Sequence, residues 1–397
     1  MKGLRVLLIL AILPFTASAD WKFTGAETVA QVTGSDEWLQ VQSSGRKNIA
    51  TTSNRVGIVY ERYDRQKAEI YLATRSLGRD DGQFALTTLS DVAKPHDPLI
   101  RQCDDRFVVG WVDDRGLWMR AEQGGSITEP LLVADARRGE FTFACGVNRV
   151  YAFWTEQVDG RWRLMTRTLT LSGDKPVLSN GVAVAPIEAQ RLQRQPSAAV
   201  ADGHVVVAWQ DRSTGTSIVY AAVSTDGASF SDPVAVNETI VKSLDWGKGS
   251  SAIESVFATS ADGKLVLAWL DKRSSRSGYK IYASVNRSLD KDTWKVNQKI
   301  QDEFGDFTPQ WNAALSDSAT DRIVAAWSDS REDSPDIWIS DYEVGLWAEN
   351  EPVKPAATED SETDPSVVID GSGSLHIVWL AAKEGAGQRI MYAHAKR

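Results

Sequence analysis

The chain has 397 residues, 42% of them hydrophobic and 15 of them tryptophan, with 44 basic against 53 acidic side chains and a net charge of −9. That balance argues against nucleic acid or an anionic membrane surface as the main partner, while the apolar content is ample for a core. At this length two domains would be ordinary, but an internal repeat overrides the expectation.

The N-terminus begins with Lys2 and Arg5, continues as an apolar run from Val6 to Phe15, and ends on Ala17-Ser18-Ala19. A basic start, a short apolar stretch and a small-x-small site describe a secretory signal peptide over residues 1–19, cut before Asp20. The run is too short to span a bilayer, and no later stretch is long and apolar enough for membrane insertion. The expectation is export to the periplasm or beyond, as one domain over residues 20–397. Without Lys2 and Arg5 the mature chain keeps 42 basic against 53 acidic residues, a net charge of about −11.

After the leader, one phrase recurs: an apolar run closing on Trp and then turning charged. It reads FVVGWVDDR over 107–115, VVVAWQDR over 205–212, LVLAWLDKR over 265–273 and IVAAWSDSR over 323–331. Weaker copies end on Tyr60, Trp154 and Trp379. The seven anchors fall at a mean step of about 53 residues, close to the period of four-stranded propeller blades. Before each anchor strand comes a first strand that often carries Pro (Pro98, Pro196, Pro309, Pro365). After it comes an alternating third strand, as at 69–73, 218–222, 280–284 and 336–340, and then a more polar fourth, as at 232–236 or 293–296. Asp202-Gly203, Asp262-Gly263 and Asn148-Arg149 suit tight hairpins between first and second strands. Residues 237–255 read as an inserted loop. The last unit stops after its third strand, and residues 21–32 read as an orphan strand able to complete it. The fold class is therefore all-β: a seven-bladed β-propeller of four-stranded antiparallel blades, closed by the N-terminal strand.

Two turns after third strands read Ser-x-Asp followed by an aromatic: Ser224, Asp226, Gly227 and Phe230, and again Ser288, Asp290 and Trp294. Short polar side chains bond their own turn backbone there, and glycine supplies positive φ. The turns resemble the Asp-box of bacterial-neuraminidase (BNR) repeats, one residue short of the usual form, and the whole repeat resembles sialidase-like β-propellers. In that family the box is structural. The resemblance also implies, for a true sialidase, three arginines, a Tyr–Glu nucleophile pair, an Asp acid/base and an Arg-Ile-Pro motif. The nearest equivalent here is 46–49 (Arg-Lys-Asn-Ile), without the Pro, and Arg62 and Arg65 are further arginines. No Tyr–Glu pair is selected, and sialidases resemble six-bladed rings rather than seven.

In an up-and-down blade the ends of second strands and the starts of first strands share one face. Asp113, Arg115, Asp211, Arg212, Asp271, Arg273, Asp329 and Arg331 should then ring one opening. They fit a funnel gripping an anionic or sugar ligand through Arg forks, but because they recur with the repeat, Asp–Arg pairing between neighbouring blades that holds the ring together is the favoured reading. Trp246 in the 237–255 loop suits a sugar-stacking platform or a core position. Ligand binding is placed on this face, with Arg212 and Arg273 on an anionic group. The partner is a glycan or an extracytoplasmic protein, bound by a monomer. The alternative is a glycan-active enzyme, a sialidase-type hydrolase before a lyase, for which His96 is the one histidine expected on that face. No cofactor or metal motif is present; residues 359–364 carry Ca²⁺-type oxygen ligands but read more simply as a solvated loop. Cys103 and Cys145 occupy equivalent turns of adjacent repeats, which suits a disulfide unless neighbouring blades hold them too far apart.

Overall fold

The computed structural model describes residues 21–34, 36–41, 47–78, 82–136, 139–171, 176–185, 192–213, 216–238, 251–273, 278–289, 294, 296–332 and 334–397. Residues 1–19, Arg46, Trp246 and Asp290 lie outside the described residues. Seven sheets form a ring, antiparallel but for one short parallel pairing of Asp317–Ser318 with Val368–Ile369 in the last. Their innermost strands are Ile49–Thr51, His96–Cys103, Phe141–Gly146, Arg194–Ala201, Ala252–Thr259, Gln310–Leu315 and Ser361–Ile369, each touching the next around a central channel, blade 7 back to blade 1.

The repeated apolar phrase is the second strand of each blade. Leu265–Asp271 and Ile323–Asp329 are buried along their whole length. Each blade is pressed between two neighbours, so such a strand is covered on both sides and reads as a continuous apolar run rather than an alternating one. The seven anchors are buried, and the core is divided among the seams. Trp269, for example, packs with Ala199, Val206 and Ala208 of the preceding blade.

The ring closes through its N-terminus. Lys22–Phe23 and Glu27–Val32 pair with the last strand, Gly387–Lys396, with Lys22 opposite Lys396 and Val32 opposite Gln388. Trp21 is buried between blades 6 and 7 and donates its indole N–H to Asp341 at 2.8 Å. Two spans differ from the sequence reading. The inserted loop ends earlier, because Ala252–Thr259 is already the first strand of blade 5. The outer strand of that blade is Gln298–Lys299 rather than 293–296, and Trp294 turns into the seam to meet Phe257, ring centroids 6.1 Å apart.

The first of the two boxes is built as a self-bonded turn. Asp226 accepts from the amides of Ser229 and Ala228 and from the Ser224 hydroxyl, which together hold its carboxyl down at about 2. Phe230 lies edge-on to Phe153 of blade 3. Phe84 likewise lies edge-on to Tyr392 in the seam between blades 7 and 1. Gly227 has φ +75° and a Cβ there would sit 2.5 Å from Tyr151 Cδ1. Gly227→Ala is therefore expected to destabilise the fold by about 1–3 kcal/mol in urea unfolding, with ligand binding on the opposite face unchanged.

Two features tie blades together on the side of these turns. Cys103 and Cys145, at the ends of the inner strands of blades 2 and 3, form a disulfide with their Cα atoms 5.2 Å apart. Asp317, on the short strand Asp317–Ser318 that leaves blade 6 to pair parallel with Val368–Ile369 of blade 7, takes Lys47 Nζ and Arg101 Nη1, each at 2.7 Å, and the amide of Thr259 at 3.2 Å. Arg101 also donates to the carbonyl of Ala198 at 3.0 Å. Side chains from blades 1 and 2 and from the strand joining blades 6 and 7 thus meet backbone of blades 4 and 5 inside the channel. The accessible edge of Asp317 faces a cavity of about 220 Å³. Burial drives Lys47 down to about 7, although Asp317 favours its charge.

Candidate functional site on the channel-mouth face

The face on which second strands end and first strands begin is built by a repeated clasp. Asp113, Asp271 and Asp329 are buried at the strand ends, and each holds the arginine two residues on. Arg273 gives its amide to Asp271 Oδ1 at 2.8 Å and its Nε and Nη2 to Oδ2 at 2.9 and 2.6 Å. Arg331 repeats this on Asp329 and Arg115 on Asp113. The anchor indole joins in, since Trp269 and Trp327 donate to the same carboxylates. Each guanidinium lies on an aromatic ring of the next strand: Arg273 on Tyr282 at 4.2 Å, Arg331 on Trp338 at 4.0 Å, Arg115 on Trp118 at 4.5 Å.

This differs from both readings of the motif. The pairing runs within one turn, not from blade to blade; it closes off Arg273 and Arg331, while Arg115, bound to Asp113, keeps 49% of its side chain exposed. Arg273 and Arg331 are only 5% and 9% exposed and turn their remaining donors to Glu238 and Asn297, and to Asp302 and Asn350, in the adjoining connections. A guanidinium so engaged has no fork left for a carboxylate ligand. In blade 4 the arginine follows its aspartate directly; Arg212 is exposed, and Asp211 takes the amide of Ser213 instead. Arg62 bonds Glu37 at 2.8 Å, and that hydrogen bond raises its already high pKa. Lys47 points into the channel, where it shares Asp317 with Arg101.

Inside the ring of clasps lies a belt that the sequence did not announce. In blades 2, 4, 5, 6 and 7 the first strand carries a bulge on a non-glycine residue of positive φ: Asp97, Gln195, Glu254, Asn312 and Asp364, at 49° to 57°. Proline follows three of them, consistent with the prolines read from the sequence, since a bulge tolerates a missing N–H. Bulges redirect side chains at functional rims. Here they link one blade to the next: Asn312 Nδ2 donates to Asp364 Oδ1 at 2.7 Å, Glu254 N to Gln195 Oε1 at 3.4 Å, and Asp97 N to Glu61 Oε2 at 3.3 Å.

Partly exposed aromatics stand on the same face. Trp311, 42% exposed, follows the start of the blade 6 first strand and packs on Tyr279, ring centroids 5.4 Å apart. Lys272 lies 6.0 Å from the Tyr279 ring. Phe304 and Phe307 stand exposed on a short 3₁₀ turn, Glu303–Phe307, capped by Asp302. In blade 1 Trp38 stacks on Tyr63 at 5.6 Å. Beside them a cleft of about 260 Å³ is lined by Glu61, Tyr63, Arg65, Lys67, Lys94 and His96. Burial raises the Tyr63 phenol.

At the seam of blades 6 and 7 two carboxyls are almost wholly buried. Burial lifts Glu362 to about 7, and burial with the charge of Glu332 lifts Asp336 to about 6. Thr358 donates its hydroxyl to Glu362 and its amide to Asp336, tying the two together. In the acidic segment 359–364, Asp360 is engaged by Arg389, and no group of three or more His, Cys, Asp or Glu is arranged to hold a metal among the described residues. Folded, these carboxyls keep protons up to about pH 6–7; unfolded, only to about 4. Stability should therefore fall as pH rises through that window. Glu362→Gln is expected to flatten the decline and to gain on the order of 1–3 kcal/mol at pH 8, read from urea unfolding across pH.

No protein-family model and no curated protein sequence matches this chain. Solved structures do match in fold. Polysaccharide lyase Uly1 is 10% identical with a TM-score of 0.56, over 89% of this chain and 90% of that one. A PL25 ulvan lyase is 9% identical with a TM-score of 0.56, over 93% and 95% of the two chains. The phage phi92 endosialidase is 10% identical with a TM-score of 0.53, over 94% of this chain and 69% of that one. At such identities the likeness is one of architecture: the chain is a seven-bladed β-propeller, similar in fold to these two polysaccharide lyases and to the endosialidase.

Proposed function

We propose that this is an exported carbohydrate-binding propeller that holds a glycan on its channel-mouth face. The observation that carries the reading is the exposed Trp311 ring on Tyr279, flanked by Lys272 and by the Asn312–Asp364 pair. An exposed indole offers an apolar surface to the axial hydrogens of a sugar, and the neighbouring amide, carboxylate and ammonium suit its hydroxyls. The clasped arginines argue against a sialidase, whose carboxylate clamp needs several free guanidinium forks on one pocket. A glycan array should find a ligand, and Trp311→Ala should weaken it about tenfold or more by calorimetry while leaving the unfolding midpoint nearly unchanged. Undiminished affinity in that variant would remove Trp311 from the site.

A second reading, glycan cleavage, is favoured by the cleft between blades 1 and 2. A lyase acting on a uronate needs a base and a cation to neutralise the acid, and His96 or Tyr63 with Lys94 and Arg65 would supply them. The raised phenol of Tyr63 makes His96 the better base. Ultraviolet-absorbing unsaturated products from polyuronates, lost in His96→Ala, would establish this reading in place of simple binding.

A further inference from the structure

On the side away from the channel mouth, four seams between blades receive an aromatic ring from the segment that follows a third strand. Phe84 packs between blades 7 and 1, Phe230 between 3 and 4, Trp294 between 4 and 5, and Trp347 between 5 and 6. The seam between blades 2 and 3 has no such ring. The corresponding segment of blade 3, residues 171–181, contains no aromatic residue, and Leu171 and Leu178 pack there instead. A cavity of about 560 Å³ opens at this seam.

Its walls are apolar. Val108 and Met119 of blade 2 and Val150 and Leu169 of blade 3 form the buried part, with Leu131 and Leu171 beside them. The volume falls in the range of small-molecule pockets, roughly 300–1,000 Å³, which combine apolar walls with a few polar groups. The charged groups here are Arg106, Arg120 and Glu129. Arg120 is engaged: its Nε donates to the Thr128 carbonyl at 2.6 Å and its Nη1 to that of Leu89 at 2.8 Å. Arg106 is not. Its Nε is buried, and its guanidinium has no hydrogen-bond or ion-pair partner among the described residues. A buried charged donor left unpaired is costly, and a guanidinium fork is shaped for two oxygens of one anion.

We infer that the seam between blades 2 and 3 binds an alkyl carboxylate, a fatty acid of medium chain length, with its chain in the cavity and its carboxylate on Arg106. Charge selects the head group. Arg106 and Arg120 against Glu129 leave one positive charge over at the cavity, which a carboxylate balances and a cation would worsen. The site goes beyond the carbohydrate-binding reading and does not depend on it. Arg106 begins the second strand of blade 2, whereas Asp113, at the other end of that strand, stands on the mouth face.

The test titrates the whole protein with hexanoate, octanoate and decanoate, and with decanol and decyltrimethylammonium, all below micellar concentrations, in calorimetry. Decanoate should bind, and each added methylene along the acid series should tighten binding about fourfold. Decanol and decyltrimethylammonium should bind about tenfold more weakly or less. Arg106→Gln should bring decanoate down to the affinity of decanol and leave decanol unchanged. Leu171→Trp, which supplies the missing ring, should abolish binding of all of them. The inference is overturned if decanoate does not bind, if decanol or decyltrimethylammonium binds as tightly, or if either variant, folded by its urea transition, keeps the parent's decanoate affinity. The head-group comparison is made on the parent protein, so a variant that fails to fold does not decide the outcome.

Discussion

Removing residues 20–33 should bring the protein close to unfolding. Trp21, Val29 and Val32 are buried in two different clusters, one between blades 6 and 7 and one between blades 7 and 1. Exposing three such side chains forfeits on the order of 5–9 kcal/mol, against a total stability of roughly 5–15 kcal/mol for a typical domain. The ladder bonds to Gly387–Lys396 go as well, leaving that strand as an open edge. Asp341, buried and already pushed upward by burial, would lose the indole donor and keep Arg397. The measurement is urea unfolding of the truncated chain beside Trp21→Ala, for which a loss of about 3–5 kcal/mol is expected. A truncation that melts with the parent would mean that the N-terminal strand is an ornament.

Asp317→Asn should be nearly as damaging, though the carboxylate lies in no catalytic cleft. The substitution leaves Lys47 and Arg101 facing each other in the channel without a counter-charge, and breaking a buried pair from one side costs about 3–5 kcal/mol. The pH dependence distinguishes this cause from simple loss of packing. Unfolded, Lys47 holds its proton to about pH 10.5; folded, to about 7. Fewer protons are bound in the folded state between those values, so the lysine's contribution to stability rises with pH across that window. The penalty of Asp317→Asn should accordingly be largest near pH 6 and smaller near pH 9, where the amine is neutral. A penalty unchanged between the two would point to packing alone.

What could be read from the sequence follows from how far each interaction reaches along the chain. The tryptophan anchors were legible because a blade is a local object: strands pair with their sequence neighbours, and burial on both sides writes itself as a run such as Leu265–Asp271. The orphan strand at 21–32 was legible by subtraction, since the last unit lacked a partner. The Asp-x-Arg clasp was visible as a motif but not as a mechanism. Spacing alone does not say whether Arg273 reaches the next blade, the solvent or, as it does, its own Asp271. Asp317, Arg101 and Lys47 carry no local signature at all, because the carboxylate meets Arg101 over 216 positions. The bulge residues Asp97, Gln195, Glu254, Asn312 and Asp364 share a conformation and not an identity, so no residue-type repeat marked them. Trp311 went unnoticed for a related reason: it stands in a first strand, where a tryptophan reads as core, and only the bulge beside it turns that part of the strand outward.

Ring closure also sets the order of events in folding. Every blade from 2 to 6 can form from a contiguous stretch of chain, through hairpins that search only a short loop. The final pairing joins residues 22–32 to 387–396 and cannot begin until the last strand has been made. Contacts so distant in sequence are slow to form, and an arc of completed blades must wait with an unpaired strand at its end. That interval, rather than the finished ring, is when the chain is most exposed to pairing with another copy of itself.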